Sequence, residues 1–389
     1  MGRMSPDIAV VGAGLVGASF AAALAGTPLE IILLERDRPR DDPHEWDQRV
    51  YAISPASARF LASLGVWDVV DRARTQPVLA MEVFGDTGAR LRFSAYESGV
   101  AELATIVESR AMQRALWQAL EAQQNVTLRC PARPGALAAV GAGWQLTLDD
   151  ASTLAPHLLV GADGTRSWVR EAAGIAVHTT AYAQRGVVAN FACERDHEGT
   201  ALQWFRGADG VLAWLPLPGR RVSMVWSTPD EHAEELLALG AAALAERVAA
   251  AGGFRLGRLE QITPPAAFPL ASMEARHIAL PGLALLGDAA HAVHPLAGQG
   301  VNLGFADARV LAGLVREREV FREPGDAALM RRYERARSED ILAMRSVTHG
   351  LHRLFSLRGR LPAAVRNLGL NLTDDLAVVK NLLVRQALG

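Results

Sequence analysis

The sequence predicts an α/β protein: a Rossmann-like domain into which an antiparallel β-sheet is inserted, followed by a helical C-terminal segment. Three observations predict it. Near the start, the apolar run "IAVV" leads into glycines at 12, 14 and 17 and an Ala-rich stretch, and a second apolar run, "LEIILLER", follows. Between 181 and 275 the chain changes to alternating segments joined at Gly-rich turns. At 284–307 "ALLGDAAHAVHPLAGQGVNLGFAD" returns to an apolar run, a tight turn and a helical period.

Composition fits this class. Of 389 residues, 50% are hydrophobic and 21% charged, which suits a globular enzyme with about two or three domains' worth of core, or one elaborated α/β unit. A net charge of −2 and a pI of 6.6, with no Lys/Arg block, carry no electrostatic footprint for nucleic acid. Cys130 and Cys193 stand alone, without the paired spacing of a zinc site or a disulfide framework, so a reducing, cytoplasmic compartment is expected.

Arg3 and the apolar stretch to Gly26 imitate a signal peptide or membrane span, but Gly12, Gly14 and Gly17 have the GxGxxG spacing. Glu35 follows 23 positions after Gly12, near the interval at which an acidic residue meets an adenosine ribose. In this strand-turn-helix-strand context dinucleotide binding is expected. Gly12 permits the tight turn, Gly14 lets the backbone approach a pyrophosphate, and Gly17 allows helix and strand to pack closely. The helix N-terminus adds N–H groups and positive dipole.

Beyond Glu35, "VYAISPASARFLASLG" predicts an extended segment entering a helix capped at Ser54 with Pro55 in its first turn. Arg49, just before it, is either a partner for phosphate or a surface arginine. "AMEVFGDTGARLRFSA" reads as a hairpin, and "ESRAMQRALWQALEAQQ" as a helix with Arg110 at its start. In "HLLVGADGTRSWVREAAGI" a strand ends at Gly161, Asp163 and Gly164 turn, and Ser167 caps a helix. The alternating region carries Trp204, Trp214 and Trp226, which either line an apolar pocket with Pro216 or form core.

In the 284–307 stretch His291, His294 and Asp288 could be read as metal ligands. Pro295 opposes a helical ligand scaffold and no completing pair appears elsewhere, so no metal is expected. The alternative is a strand ending at Leu286, a Gly287–Asp288 turn whose carboxylate accepts from ligand hydroxyls, and a helix from Gly300 that aims its N–H groups at an electron-rich ligand.

Together these motifs resemble the FAD-dependent aromatic-ring monooxygenases of the para-hydroxybenzoate hydroxylase superfamily, whose landmarks are the glycine fingerprint with Glu35, the Asp-Gly motif at Asp163 and the Gly-Asp motif at Gly287 and Asp288. Residues 294–307, "HPLAGQGVNLGFAD", are similar at every specified position to the signature of the ubiquinone-biosynthesis hydroxylases. The resemblance implies a glutathione-reductase-type FAD domain made of 1–80, 106–180 and 276–340, a substrate-binding sheet domain of 81–105 and 181–275, and a helical region at 341–389. It implies that Gly12, Gly14, Gly17 and Glu35 bind the ADP half of FAD. Arg49 and Arg110 then lie near the pyrophosphate or ribityl chain, and Asp163 and Asp288 contact the cofactor. Pro295, Gly298, Gln299, Gly300, Val301 and Asn302 then surround the flavin ring.

The implied reaction is hydroxylation of a polyprenylated phenol through a flavin C4a-hydroperoxide, with NADPH or NADH as electron donor and molecular oxygen as co-substrate. A pocket that shields the flavin from water suits it. His291 and His294 are either acid/base groups or histidines packed under the turn. Residues 341–389 carry seven basic and two acidic residues, with Met344, Val347, Leu351 and Leu354 at helical spacing. That pattern implies peripheral contact with an anionic membrane, or packing in a quinone-biosynthesis complex. The rival readings are another flavoenzyme reaction, such as halogenation or prenyl reduction, and a redox-silent subunit of such a complex. "LAWLPLPG" departs from the halogenase motif, and the intact flavin motifs oppose the second.

Overall fold

The computed structural model describes residues 3–40, 45–85, 88–141, 143–292 and 300–356. Four of its shortest apolar runs, Ile8–Val11, Ile31–Leu34, Leu158–Gly161 and Leu283–Leu285, are buried at every position, as strands covered on both faces must be. They form a parallel sheet in the order Leu283–Leu285, Leu158–Gly161, Ile8–Val11, Ile31–Leu34, Val126–Arg129, with Ala279–Leu280 added antiparallel at one edge. Helix Leu15–Ala22 packs on both Ser109–Glu121 and Gly300–Arg316. Its buried residues include Leu15, Ala18, Phe20 and Ala21, which explains why this stretch is apolar all round without being a membrane span.

The capping expectations hold. Ser54 accepts from the Ser57 N–H at the start of helix Pro55–Ser63, and Ser167 accepts from the Arg170 N–H at the start of Trp168–Ala172. The hairpin strands Ala80–Phe84 and Arg90–Ser94 join a second, mixed sheet. There Ala80–Phe84 runs parallel to Thr200–Phe205, which continues antiparallel through Val211–Leu217, Arg221–Pro229, Val177–Cys193 and Ala266–Ala275. The helical insertion is two helices, Asp230–Ala238 and Ala241–Ala251, because Leu239 turns extended at the end of the first and Gly240 caps the start of the second.

Alternation gives this sheet two unlike faces. Phe191, Leu202, Leu212, Trp214, Met224 and Trp226 bury against the two helices. On the other face Ala201, Leu215 and Leu217 pack against Val78 and Ile106 of a small sheet formed by Val50–Ile53, Ala104–Glu108 and Thr75–Val78. Arg3–Met4, Pro134–Val140, Gly143–Leu148 and Thr153–Leu154 make a further small sheet that the sequence reading did not separate into elements. The last described element is helix Ala327–Ser356. Among the described residues no helix is long and apolar enough to cross a membrane. Residues 357–389 and the side chains of Met344, Val347, Leu351 and Leu354 lie outside the described residues.

Candidate active site

The glycine loop follows strand Ile8–Val11 and is shaped by close approach. Gly12 has φ +101°, and a Cβ there would stand 2.4 Å from the Ala162 carbonyl oxygen. A Cβ on Gly17 would stand 2.0 Å from the Gly12 oxygen, whereas one on Gly14 would meet nothing within 4 Å. Gly12 and Gly17 therefore fit the chain to itself, and Gly14 faces open space. Helix Leu15–Ala22 begins at Gly14 with no side-chain cap, leaving its first N–H groups without that partner. Glu35 is held at the same loop: its Oε2 accepts from the Ala13 N–H at 2.7 Å and its Oε1 from the Arg36 N–H at 2.8 Å.

The Asp163 turn lies against this loop, since the Gly12 Cβ position is also 3.0 Å from the Asp163 nitrogen. Asp163 Oδ2 accepts from the Val169 N–H at 3.0 Å, while its Oδ1 is buried with no partner among the described residues. Arg170, 9% exposed, donates to Thr165 O and Ala289 O, both at 2.9 Å, and so ties this turn to the Gly287–Asp288 turn. Burial lowers the Arg170 pKa, opposed by Asp163 and Glu171.

Gly287, at φ +56°, packs its backbone toward Val16 and Gly304, which brings the second turn against the starts of helices Leu15–Ala22 and Gly300–Arg316. Asp288 is accessible to solvent, yet enough protein surrounds it that desolvation raises its pKa, with His291 and Arg49 lowering it and Asp307 raising it. Tyr51, which the sequence reading passed over, belongs to the same place: burial raises its pKa, Arg49 lowers it and Asp288 raises it.

Arg49 and Arg110 are brought together by a residue that no motif flagged. Asp47 accepts from the backbone N–H groups of both, each at 3.0 Å, and its Oδ1 lies 3.6 Å from Arg110 Nε. Its own carbonyl accepts from Asn190 Nδ2 at 2.8 Å, which joins the arginine loop to the second sheet. Asp47 N–H also donates to the buried Glu108, whose pKa is raised by desolvation.

Gly300 and Val301 open helix Gly300–Arg316. Asn302 is 7% exposed; its Oδ1 accepts from the Ser54 N–H at 3.0 Å and its Nδ2 donates to Ala52 O at 2.9 Å, so it joins this helix to strand Val50–Ile53. His291, 3% exposed, pairs through Nε2 with Asp307 Oδ2 at 2.7 Å, which makes it a packed, engaged residue under the turn. His294, Pro295, Gly298 and Gln299 lie outside the described residues.

Of the two roles open to the tryptophans, pocket or core, their surroundings in the structure are those of core. Trp214 has no exposed surface and sits edge-on to Trp204 at 4.8 Å, within the core under the two helices. Trp204 stacks on Phe84 at 5.4 Å, and Pro216, buried, shares the sheet face of Leu212 and Trp214 by alternation. Rings of this size were placed by the need to fill the sheet-helix layer.

A dinucleotide fits the residues that meet here: a helix start with no side-chain cap, open space at Gly14, a buried oxygen on Asp163 with no partner among the described residues, and an exposed Asp288 on the adjoining turn. The family described as FAD binding domain matches residues 5–346. The chain is 37% identical to the ubiquinone hydroxylase UbiL of Rhodospirillum rubrum over 98% of its own length and 89% of that protein. It is 37% identical to the 3-demethoxyubiquinol 3-hydroxylase of Escherichia coli over the full length of both. The crystal structure of p-nitrophenol 4-monooxygenase PnpA from Pseudomonas putida superposes with a TM-score of 0.79 at 17% identity, covering 100% of this chain and 99% of that one, a likeness of fold. The chain belongs to the FAD-binding domain family and, within it, to the ubiquinone-biosynthesis hydroxylases.

Proposed function

We propose that this protein is an FAD-dependent, NAD(P)H-using monooxygenase that hydroxylates the aromatic ring of a polyprenylated phenol in ubiquinone biosynthesis. The observation that carries it is the convergence of three turns, at Gly12–Gly17, Asp163 and Gly287–Asp288, at the carboxyl ends of the parallel strands. That is where an open α/β sheet binds its ligand. The loop N–H groups and the helix start after Gly14 bind the pyrophosphate, and Glu35 and Asp288 accept from ribose and ribityl hydroxyls. Arg49 and Arg110 neutralise phosphate charge. The N-terminus of helix Gly300–Arg316 stabilises negative charge on the ring system. Bound there, FAD supplies the redox chemistry and the oxygen activation.

The finer assignments are part of the same proposal: FAD domain 1–80, 106–180 and 276–340, and substrate domain 81–105 and 181–275. The basic 341–389 region is read as resting on the cytoplasmic face of a membrane or on a quinone-biosynthesis complex. The test is mass spectrometry of the quinone pool in bacterial strains that each lack one ubiquinone ring hydroxylase and express this protein. Restored ubiquinone in a strain identifies the reaction and its ring position. Expression of FAD-loaded protein that restores none rejects the ubiquinone assignment.

A further inference from the structure

Against the Gly287–Asp288 turn lies a buried polar group. Asp307 has no exposed surface, and its two oxygens hold three donors. Oδ2 accepts from the Gly287 N–H at 2.9 Å and pairs with His291 Nε2 at 2.7 Å, and Oδ1 accepts from Arg337 Nε at 2.7 Å. Burial acts to raise the Asp307 pKa, but His291 and Arg337 more than offset it, so the group stays below the ordinary carboxylate range and ionised. Arg337, 1% exposed, also donates to Leu303 O at 3.4 Å and reaches the exposed Asp340.

One turn earlier on the same helix, Ala327–Ser356, Tyr333 is fully buried and donates its hydroxyl to Leu285 O at 2.9 Å. Leu285 is the last residue of the strand that delivers the chain to Gly287. One helix therefore holds the strand end directly through Tyr333 and the turn indirectly through Arg337 and Asp307. Buried ion pairs contribute little net stability because desolvation of both ions opposes their attraction. What they do supply is direction, since Asp307 can accept from three donors only with the turn in one orientation.

We propose that Asp307, Arg337 and Tyr333 are positioning residues for FAD, fixing the Gly287 turn so that the exposed Asp288 carboxyl is presented to the cofactor. This rests on the FAD reading above. Supporting groups of this kind act on a ligand through the residues they orient, and their loss costs about 10- to 100-fold in comparable sites. Tyr333 and Arg337 stand outside every flavin motif in the sequence, on the helix that follows the 294–307 signature.

The test uses the full chain reconstituted with FAD, measuring FAD affinity by flavin fluorescence, the visible flavin spectrum and the flavin midpoint potential. Tyr333→Phe removes one hydroxyl at constant packing, Arg337→Met removes the charge at similar length, and Asp340→Ala removes only the exposed partner of Arg337. The expected result is a loss of FAD affinity of about tenfold or more in Tyr333→Phe and Arg337→Met, with a shifted spectrum and potential, and Asp340→Ala within about twofold of wild type. Arg337→Met may be replaced by Tyr333→Phe as the deciding variant if it does not fold. Variants that melt earlier as apoproteins but bind FAD with wild-type affinity, spectrum and potential overturn the inference. A wild-type chain that binds no FAD overturns the FAD reading and this inference with it.

Discussion

Replacing Gly17 by Ala should damage both the apoprotein and its cofactor affinity, whereas replacing Gly14 by Ala should damage the affinity alone. At Gly17 the new methyl would stand 2.0 Å from the Gly12 carbonyl oxygen and 3.0 Å from the Ala162 Cβ. The obstacle is backbone, so helix Leu15–Ala22 must withdraw by about 1 Å, at an overpacking cost toward the upper end of about 1–3 kcal/mol. Ala returns about 1 kcal/mol of helix propensity, which leaves a net loss of about 2 kcal/mol. The same displacement draws the helix N–H groups away from the pyrophosphate. Loss of one hydrogen bond to a charged group, about 1.5–3 kcal/mol, corresponds to about a 10- to 100-fold weaker Kd.

At Gly14 a methyl meets no protein atom within 4 Å and the backbone φ of −68° suits alanine. Apoprotein stability should then stay within about 0.5 kcal/mol of wild type, while FAD affinity falls about tenfold as the methyl takes the space the phosphate needs. Urea unfolding of the apoproteins and fluorescence titration with FAD separate the two effects. Wild-type stability in Gly17→Ala would refute the close approach of helix and loop. Wild-type FAD affinity in Gly14→Ala would refute the placement of the pyrophosphate.

Trp214→Ala should cost about 3–5 kcal/mol in chemical denaturation with no selective rise in KM, because the ring fills core; unchanged stability with a large rise in KM would return it to the substrate pocket. Desolvation gives the Asp288 carboxyl a folded-state pKa above its unfolded value, so its proton binds the folded apoprotein more tightly. Apoprotein stability should therefore gain a contribution from this group as pH falls through the window just above the ordinary carboxylate range. Asp288→Asn should remove that contribution, and an identical pH slope in the two proteins would count against it. The Cys193 thiol, pushed up to about 12 by burial, should resist a thiol-specific disulfide reagent at neutral pH until the protein unfolds, whereas rapid labelling in the native state would contradict its burial.

Much of the cofactor site is local, and local features are legible in a linear chain. The glycine spacing, the interval to Glu35, the caps at Ser54 and Ser167 and the Gly287–Asp288 turn each depend on residues a few positions apart, where steric and hydrogen-bonding rules act directly. Strand alternation likewise marks two faces for each strand of the second sheet. It does not say which face meets helices. That choice, made when Asp230–Ala238 and Ala241–Ala251 covered the tryptophan side, is what placed Trp204 and Trp214 in core.

The groups that orient the site were not legible. Asp47 meets Asn190 across 143 positions, and Asn302 meets Ser54 across 248. Arg337 meets Asp307 between separate helices. Asp47, Asn190 and Arg337 are ordinary polar residues within their own segments, and although Asn302 and Asp307 stand in the 294–307 signature, nothing local names the residue that each one meets. Its partner is chosen only when packing removes water from both, because a buried donor or acceptor must then be satisfied by whatever the fold has brought alongside. The sequence by itself determined a glycine loop with dinucleotide-binding spacing, an acidic residue at the matching interval and a second turn; the tertiary structure alone decided that these turns meet, and which distant side chains hold them there.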